Sequence, residues 1–341
     1  MRAIGYQRPS PITDEASLVD IELPKPAPDG HDILVEVKAV SVNPVDYKVR
    51  RSTPPQGTDW KVLGWDAAGI VRAVGKDVTL FKPHDHVFYA GSIIRPGSNA
   101  EFHLVDERIV GPKPKTVDWA EAAALPLTAI TAWEALFDRL DVKKMVRGAA
   151  PAILIVGGAG GVGSIAVQIA RQLTDLTVIA TASRPETREW VEHLGAHYVI
   201  DHSKPLAAEF ATLGIGAPAF VFSTTQTGQH VKEIADLIAP QGRFGLIDDP
   251  GAFDIMLFKR KSVSIHHELM FTRPIYGTPD LAEQGLLLKD VSRLVDEGRL
   301  RTTLTKRLSP INAANLKTAH ALLESGSARG KIVLEGFAIQ G

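Results

Sequence analysis

The stretch that decides the fold is Ala152–Gly163, which reads Ala-Ile-Leu-Ile-Val-Gly-Gly-Ala-Gly-Gly-Val-Gly. An apolar run of strand length leads into a glycine-rich turn, and Ser164–Thr174 follows with apolar residues at helical spacing. This order of strand, turn and helix is typical of sites that bind the pyrophosphate of a dinucleotide. Because the first N–H groups of a helix have no partner within it, the helix also attracts the anion.

The glycine-rich turn supplies the candidate cofactor-binding residues. We expect Gly158 and Gly160 to let the main chain turn tightly and approach the phosphates, and Gly163 to let the helix pack closely on the strand. Glycine-rich turns also occur for steric reasons alone, which is the alternative interpretation. The predicted contacts in the turn are Gly158, Ala159, Gly160, Gly161, Val162 and Gly163.

The end of the next strand, Thr177–Ala182, indicates which dinucleotide is bound. Chains that bind NAD usually carry an acidic residue about 20 positions after the glycines, where it binds the ribose 2′-hydroxyl. This chain has Ser183 and Arg184 there, and Arg188 follows one helical turn later. A hydroxyl and a guanidinium suit a 2′-phosphate, so the sequence favours NADPH. The alternative is that Arg184 is only a solvated residue at the start of a helix.

Composition sets the class of protein. A chain of 341 residues predicts two domains, and 45% apolar and 23% charged residues are ordinary for a soluble globular protein. The net charge is −1 and no basic run exceeds Lys259–Lys261, which we interpret as a solvated stretch at the entry to a strand, so we expect no nucleic-acid partner. The absence of cysteine excludes disulfides and thiolate metal ligands. No signal-like or membrane-spanning stretch is evident, so we expect no membrane partner and a cytoplasmic protein.

The pattern along the chain separates a β-rich part from an alternating part. Residues 1 to about 115 contain short strands such as Ile33–Val40, which suggests a barrel-like domain. A capping box at Asp118 begins a helix that stops before Pro126, and a second helix is predicted over Ala129–Leu140. Strands and helices then alternate, which implies a parallel sheet covered on both faces. The tail is predicted to hold two helices, at about Leu286–Glu297 and Ala313–Glu324, and a final strand, Lys331–Leu334, and to return to the first domain.

Several motifs resemble those of a known family in order and spacing. They are Val42–Asp46 (Val-Asn-Pro-Val-Asp), Leu63–Gly69 (Leu-Gly-Trp-Asp-Ala-Ala-Gly), Leu125–Thr128 (Leu-Pro-Leu-Thr), Gly157–Gly163 and Leu194–Ala196. With them the chain resembles the medium-chain dehydrogenase/reductase superfamily along its whole length, and most closely its quinone oxidoreductase-like branch. Members of that branch are often labelled zinc-type alcohol dehydrogenase-like.

The resemblance implies a fold, a division into domains and an oligomer. The expected fold is α/β, with a Rossmann doubly wound parallel sheet and a β-rich GroES-like domain. The GroES-like catalytic domain is expected over residues 1–126, completed by 270–341, with the Rossmann domain over 127–269 and the active site in the cleft. The resemblance also implies a homodimer through the sheet edge at Ser262–Leu269. Loops at residues 50–61 and 269–279 are expected to shape the substrate pocket.

The residues at the family's metal positions do not favour zinc. Asn43 stands where metal-dependent members have their first cysteine, and Trp65 and Asp66 replace a His-Glu pair. Indole offers zinc no ligand, and the chain has no cysteine to complete a tetrahedral site. His84 and His86 flank Asp85, but we interpret them as a turn entering a strand. We therefore predict no metal.

A site without metal suits some acceptors better than others. Reduction of a simple ketone produces an alkoxide, which needs zinc or an acid beside it, whereas a quinone or enone yields a delocalised phenolate or enolate. The resemblance places Asn43 near the nicotinamide as a donor to the oxyanion, and Asp46 beside it as an orienting group. Alternatively, Asn43 forms a turn and Asp46 caps a helix.

Two further residues are candidates for the site, Thr128 by the resemblance and Trp65 by the flat face of its ring. Thr128 is expected near the nicotinamide carboxamide, which is compatible with a role as helix N-cap. Trp65 is a candidate wall of the active site, although packing between the domains would explain it equally well. The sequence thus predicts an NADPH-dependent, zinc-independent reductase of quinones or α,β-unsaturated carbonyls. The alternatives are an alcohol dehydrogenase and a non-catalytic NADPH-binding protein.

Overall fold

The computed structural model describes residues 1–55 and 60–337, and the chain forms two compact units. Unit 1 comprises Met1–Ile130 and Phe271–Gly341, and unit 2 comprises Thr131–Met270. The two boundaries between the units lie within four residues of the boundaries predicted from the sequence. Residues 56–59, in the predicted pocket loop 50–61, lie outside the described residues.

The helices and strands follow in chain order. The first segment of unit 1 contains β1 (Arg2–Tyr6), β2 (Val19–Glu22), β3 (Asp32–Val42), α1 (Pro44–Ser52), β4 (Lys61–Val62), β5 (Ala67–Val74), β6 (His86–Tyr89), β7 (Phe102–Asp106), β8 (Val110–Pro112), α2 (Trp119–Ala123) and the start of α3 (Pro126–Trp133), whose last three residues belong to unit 2. Unit 2 contains β9 (Ala150–Val156), α4 (Gly161–Leu173), β10 (Thr177–Thr181), α5 (Pro185–His193), β11 (Tyr198–Ile200), α6 (Leu206–Ala211), β12 (Pro218–Ser223), α7 (Thr227–Leu237), β13 (Arg243–Leu246) and β14 (Ser264–His267). The tail of unit 1 contains α8 (Thr272–Tyr276), α9 (Glu283–Asp296), β15 (Leu304–Leu308), α10 (Ala313–Glu324) and β16 (Lys331–Glu335).

Unit 2 is built on a six-stranded parallel sheet in the order β11-β10-β9-β12-β13-β14. This is the doubly wound Rossmann order, in which the chain reverses direction across the sheet beside its first strand, β9. All six residues of β12 are buried, as expected for a strand covered by helices on both faces. The parallel sheet predicted from the alternating pattern is therefore confirmed.

Unit 1 is β-rich, as predicted. A seven-stranded sheet runs β15-β16-β3-β5-β6-β8, with β7 also paired to β3, and a smaller sheet has the order β2-β1-β4. Strand β16 from the tail pairs antiparallel with β3, with Ile332 opposite Val42. The tail therefore completes unit 1, and it brings Lys331, the first residue of β16, to the end of β3.

Several local predictions were wrong. Helix α3 begins at Pro126 rather than at Ala129. Proline suits a first helical position because the N–H it lacks would have no partner within the helix there, and because its fixed φ is that of a helix. Residues Glu134–Arg139 then continue it as a π-helical turn. The basic run was predicted to be solvated, but the Lys261 ammonium donates to three carbonyls at the end of α7, including those of Ala235 (2.9 Å) and Ile238 (2.8 Å).

Across residues 1–55 and 60–337, no helix has both the length and the apolar character that crossing a bilayer requires. Strand β14 is the last strand of the unit 2 sheet, where it pairs with β13.

Candidate functional site

The glycine-rich turn of unit 2 joins the end of β9 to the start of α4. Gly157 has φ +80°, a left-handed conformation that favours glycine. Gly160 is the N-cap of α4 at an ordinary φ of −71°, and the first helical bond runs from Ser164 N–H to the Gly160 carbonyl at 2.9 Å. The N–H groups of residues 161–163 precede that bond, so they are available to an anion.

Gly163 has the steric role expected of it, whereas Gly158 and Gly160 do not. A Cβ at Gly163 would lie 2.2 Å from the Gly157 carbonyl oxygen, which confirms the close packing expected there. A Cβ at Gly158 would lie 2.8 Å from the Ala180 Cβ, so Gly158 is needed for contact with β10. At Gly160 the nearest atom would be 3.4 Å away, an ordinary contact. The tight turn was assigned to Gly158 and Gly160, and this was wrong, because the left-handed residue is Gly157.

Ser183 and Arg184 follow β10 and lead into α5. Ser183 is half-buried, and Arg184 is the N-cap residue of α5. The Arg184 side chain is 44% exposed and forms an ion pair with Glu186, with 3.0 Å between Nε and Oε1. Arg188 instead donates to the carbonyls of Ala182 (3.3 Å) and Val199 (3.0 Å). Arg188 therefore links β10 to β11, and its predicted contact with a phosphate remains a prediction.

The sequence analysis missed two residues beside the turn. Gly157 N–H donates to the Thr181 hydroxyl at 2.9 Å, and that hydroxyl is joined to His202 Nδ1 at 3.1 Å. Burial lowers the pKa of His202. Thr181 ends β10 and His202 follows β11, so both lie at the carboxyl ends of parallel strands, where ligands of this fold bind. A lone threonine and a lone histidine gave no recognisable signal in the sequence.

In unit 1, the start of α1 carries two of the predicted catalytic residues. Asn43 is the N-cap of α1, and its main-chain N–H donates to Asp46 Oδ2 at 2.7 Å. Pro44 occupies the first helical position and Asp46 the third. The helix-capping interpretation thus describes Asp46, but the Asn43 side chain makes other contacts.

The Asn43 carboxamide lies between a carboxylate and an ammonium. Its Nδ2 donates to Asp66 Oδ2 at 3.0 Å, and its Oδ1 accepts from Lys331 Nζ. Lys331 also donates to the Val42 carbonyl at 2.9 Å and lies 3.0 Å from Asp66 Oδ2. The other oxygen of Asp66 accepts from Leu127 N–H at 2.9 Å. The four side chains of Asn43, Asp46, Asp66 and Lys331, here called the polar cluster, are each at most 3% exposed.

Burial dominates the electrostatics of the polar cluster. Desolvation raises the pKa of Asp46 to about 7, although the Asn43 N–H and the charge of Lys331 both act to lower it. Desolvation also raises the pKa of Asp66, and the Lys331 charge is the largest opposing influence. Lys331 was missed in the sequence because nothing in Lys331–Leu334 distinguishes it from the start of any strand.

Trp65 and Thr128 are both buried in unit 1. The Trp65 indole is 1% exposed, donates to the Ser92 carbonyl at 3.2 Å and meets Phe271 edge-on with ring centres 6.1 Å apart. These contacts fit packing better than an open wall, and its catalytic role remains a prediction. Thr128 lies inside α3, where its hydroxyl donates to the Leu125 carbonyl at 3.1 Å, so its assignment as N-cap was wrong.

The two histidines considered as metal ligands are separate from the polar cluster. His84 has φ +77° in a turn, and His86 begins β6 with its ring 4.7 Å from that of Trp119. Among the described residues, no three His, Cys, Asp or Glu side chains are grouped as a metal site would require.

Comparisons with known proteins identify the family. The alcohol dehydrogenase GroES-like domain matches residues 29–115, and a family described as zinc-binding dehydrogenase matches residues 194–334. A zinc-type alcohol dehydrogenase-like protein of Staphylococcus aureus (strain MSSA476) is 42% identical over 98% of this chain and 99% of its own. A quinone-oxidoreductase homolog from the chloroplast of Spinacia oleracea is 28% identical over 98% of both chains.

A solved structure shares the whole fold. It is that of a protein from Rhizobium etli CFN 42, provisionally described as a zinc-dependent alcohol dehydrogenase, with 84% identity, a TM-score of 0.98 and 99% coverage of both chains. The chain therefore belongs to the medium-chain dehydrogenase/reductase superfamily, among its quinone oxidoreductase-like members. It is an oxidoreductase of the medium-chain dehydrogenase/reductase type.

Proposed function

We propose that this oxidoreductase uses NADPH, without zinc, to reduce quinones or α,β-unsaturated carbonyl compounds. The observation that carries the proposal is the polar cluster, in which a lysine ammonium bonds to the residues that stand at the family's metal positions. Bound NADPH would supply the hydride. The protein's task is to hold the dinucleotide and to stabilise the acceptor oxygen with hydrogen-bond donors.

The choice of NADPH is supported by the residues after β10. Ser183 offers a hydroxyl and Arg184 a guanidinium, whose two-pronged donor geometry matches a phosphate group. The ion pair of Arg184 with Glu186 is largely exposed, so a 2′-phosphate could replace it at little cost. The main-chain N–H groups of residues 161–163 and the left-handed Gly157 suit the pyrophosphate.

Zinc does not fit the polar cluster. Catalytic zinc takes three protein ligands from cysteine, histidine and carboxylate side chains and keeps a fourth position open. Here Asp66 already pairs with the Lys331 ammonium, and the Asn43 oxygen accepts from Lys331. The Trp65 indole N–H donates to the Ser92 carbonyl. A divalent cation in this place would have to displace a buried ammonium that makes three hydrogen bonds.

The chemistry of the donors favours a conjugated acceptor. An amide N–H from Asn43 is a neutral donor, weaker than a metal ion as a partner for a localised alkoxide. An enolate or phenolate spreads its charge over several atoms, so one or two neutral donors are sufficient. The name of the plant relative, a quinone-oxidoreductase homolog, agrees with this class of acceptor.

Two assays test the proposal. With NADPH as donor, a quinone or an enone should be reduced, whereas a primary alcohol with NADP⁺ should not be oxidised; turnover of the alcohol alone would reject the proposal.

Arg184→Asp should weaken NADPH binding far more than NADH binding, because it replaces a cation by an anion beside the 2′-phosphate. Arg301→Asp, which changes an exposed arginine of unit 1, is the charge-matched control. Equal losses for both dinucleotides would reject NADPH specificity.

A homodimer through the edge of the unit 2 sheet is part of the proposal. In the described part of the chain, β14 pairs with β13 on one side only, and Leu269 beside it is 54% exposed. A second copy could add its own β14 in the same plane. Sedimentation should show a dimer for the natural chain and a monomer for Leu269→Asp, and a monomeric natural chain would contradict this arrangement.

A further inference from the structure

The Lys331 ammonium has an unusual set of partners for a buried cation. The residue is 3% exposed, and its three N–H groups are matched by three acceptors: the Val42 carbonyl, Asn43 Oδ1 and Asp66 Oδ2. An ammonium has three donors and no acceptor. Lys331 therefore has no donor left for a substrate, and any part it takes in a reaction passes through its neighbours.

We propose that Lys331 is a positioning residue that fixes and polarises the Asn43 carboxamide for the reaction; this inference rests on the proposed function. An ammonium can only donate and an ionised carboxylate can only accept. Lys331 therefore holds the amide oxygen of Asn43 and Asp66 holds the amide nitrogen, and both would lose their hydrogen bonds if the amide turned over. The orientation of the Asn43 donor is thereby determined.

The contact with Lys331 also strengthens the donor. Among the described residues, one N–H of Asn43 Nδ2 has Asp66 as its partner and the second has none. A cation at the amide oxygen draws electron density from the nitrogen, and hydrogen bonds in such chains reinforce one another by roughly 10–30% each. The second N–H is thus a better donor to a developing enolate or phenolate than the amide of an isolated asparagine.

Packing alone does not account for a charged residue at this position. Buried ion pairs lose much of their solvation, and apolar residues of similar volume often replace them without loss of stability. A methionine at position 331 would fill similar space, but it would leave the Asp66 carboxylate without its cation and the Asn43 oxygen without a donor. The charge of Lys331 therefore acts on both Asp66 and the Asn43 amide.

A double-mutant cycle in kcat tests whether Lys331 acts through Asn43. We expect Lys331→Met to lower kcat for a quinone about 100-fold, the loss typical of one oxyanion donor, with little change in KM. In an Asn43→Ala background the same substitution should lower kcat by less than about threefold, because the residue it positions is gone. Lys306→Met, on exposed β15 beside β16, is the matched control and should leave kcat unchanged.

The outcomes separate this inference from the proposed function. If the natural chain reduces neither acceptor class with NADPH, the proposed function is wrong and this inference falls with it. If it does, but the losses from the two substitutions multiply, Lys331 acts independently of Asn43 and this inference alone is wrong. NADPH affinity should be unchanged in every variant. Should Lys331→Met fail to fold, the cycle is run with Lys331→Gln, which keeps a donor without the charge.

Discussion

Two single-methyl substitutions in the glycine-rich turn separate its structural requirement from its binding role. A Cβ at Gly163 would lie 2.2 Å from the Gly157 carbonyl oxygen, about 1 Å inside ordinary contact, and its next neighbours are also main-chain atoms that cannot rotate away. Overpacking of this kind costs about 3 kcal/mol, and the better helix propensity of alanine returns about 1 kcal/mol. We therefore expect Gly163→Ala to lower the free energy of unfolding by about 2 kcal/mol.

Gly160→Ala is the matched control for Gly163→Ala. Its Cβ would meet nothing closer than 3.4 Å, and a φ of −71° suits alanine, so stability should fall by no more than about 0.5 kcal/mol. Its methyl group nevertheless lies at the N-cap of α4, where the phosphates are expected, and NADPH affinity should fall at least tenfold. Urea denaturation and calorimetric titration of both variants measure the two effects. A Gly163→Ala variant as stable as the natural chain would refute the steric argument.

Three other substitutions give expected outcomes. Glu186→Gln removes the anion 3.0 Å from Arg184, so the ratio of NADPH to NADH affinity in titrations at low salt should rise about threefold; a lower ratio would contradict the phosphate assignment. Trp65→Phe loses the bond to Ser92 and about 1 kcal/mol of stability, but the steady-state KM for a quinone should not change, whereas a tenfold rise would make Trp65 part of the acceptor pocket. Burial lowers the pKa of His103 from its ordinary 6.5 to about 4. Between these two pH values the unfolded chain binds a proton at His103 and the folded chain does not. The free energy of unfolding should therefore fall by about 3 kcal/mol as the pH drops from 6.5 to 4. In urea denaturation at each pH, His103→Gln should not show this part of the fall in the free energy of unfolding. If that free energy depends on pH in the variant as it does in the natural chain, the prediction is wrong.

The fold was largely predictable because its signals are local and repeated. The alternation of strands and helices after Ala152 implied a parallel sheet with right-handed crossovers, and the observed order places β9 at its centre. Helix α10 and strand β16 begin at the residues predicted. Helix α3 was misplaced because Pro126 was interpreted as a break, although proline is equally suited to a first helical position.

The candidate site was predictable only where its residues lie in one motif. Asn43 and Asp46 share a short segment, and their contact across the start of α1 follows from their spacing. Lys331 lies 288 residues from Asn43, and only the antiparallel pairing of β16 with β3 brings them together. Likewise, glycine spacing alone could not reveal that Gly157, rather than Gly158 or Gly160, takes the left-handed conformation.

The central claim is that a lysine-supported amide, and no metal ion, assists hydride transfer from NADPH to a conjugated acceptor. The most direct measurement is the rate of NADPH oxidation with a quinone after the protein has been dialysed against a strong chelator. We expect the same rate before and after chelation, with no gain when zinc is added. A rate that disappears on chelation and returns with zinc would contradict it.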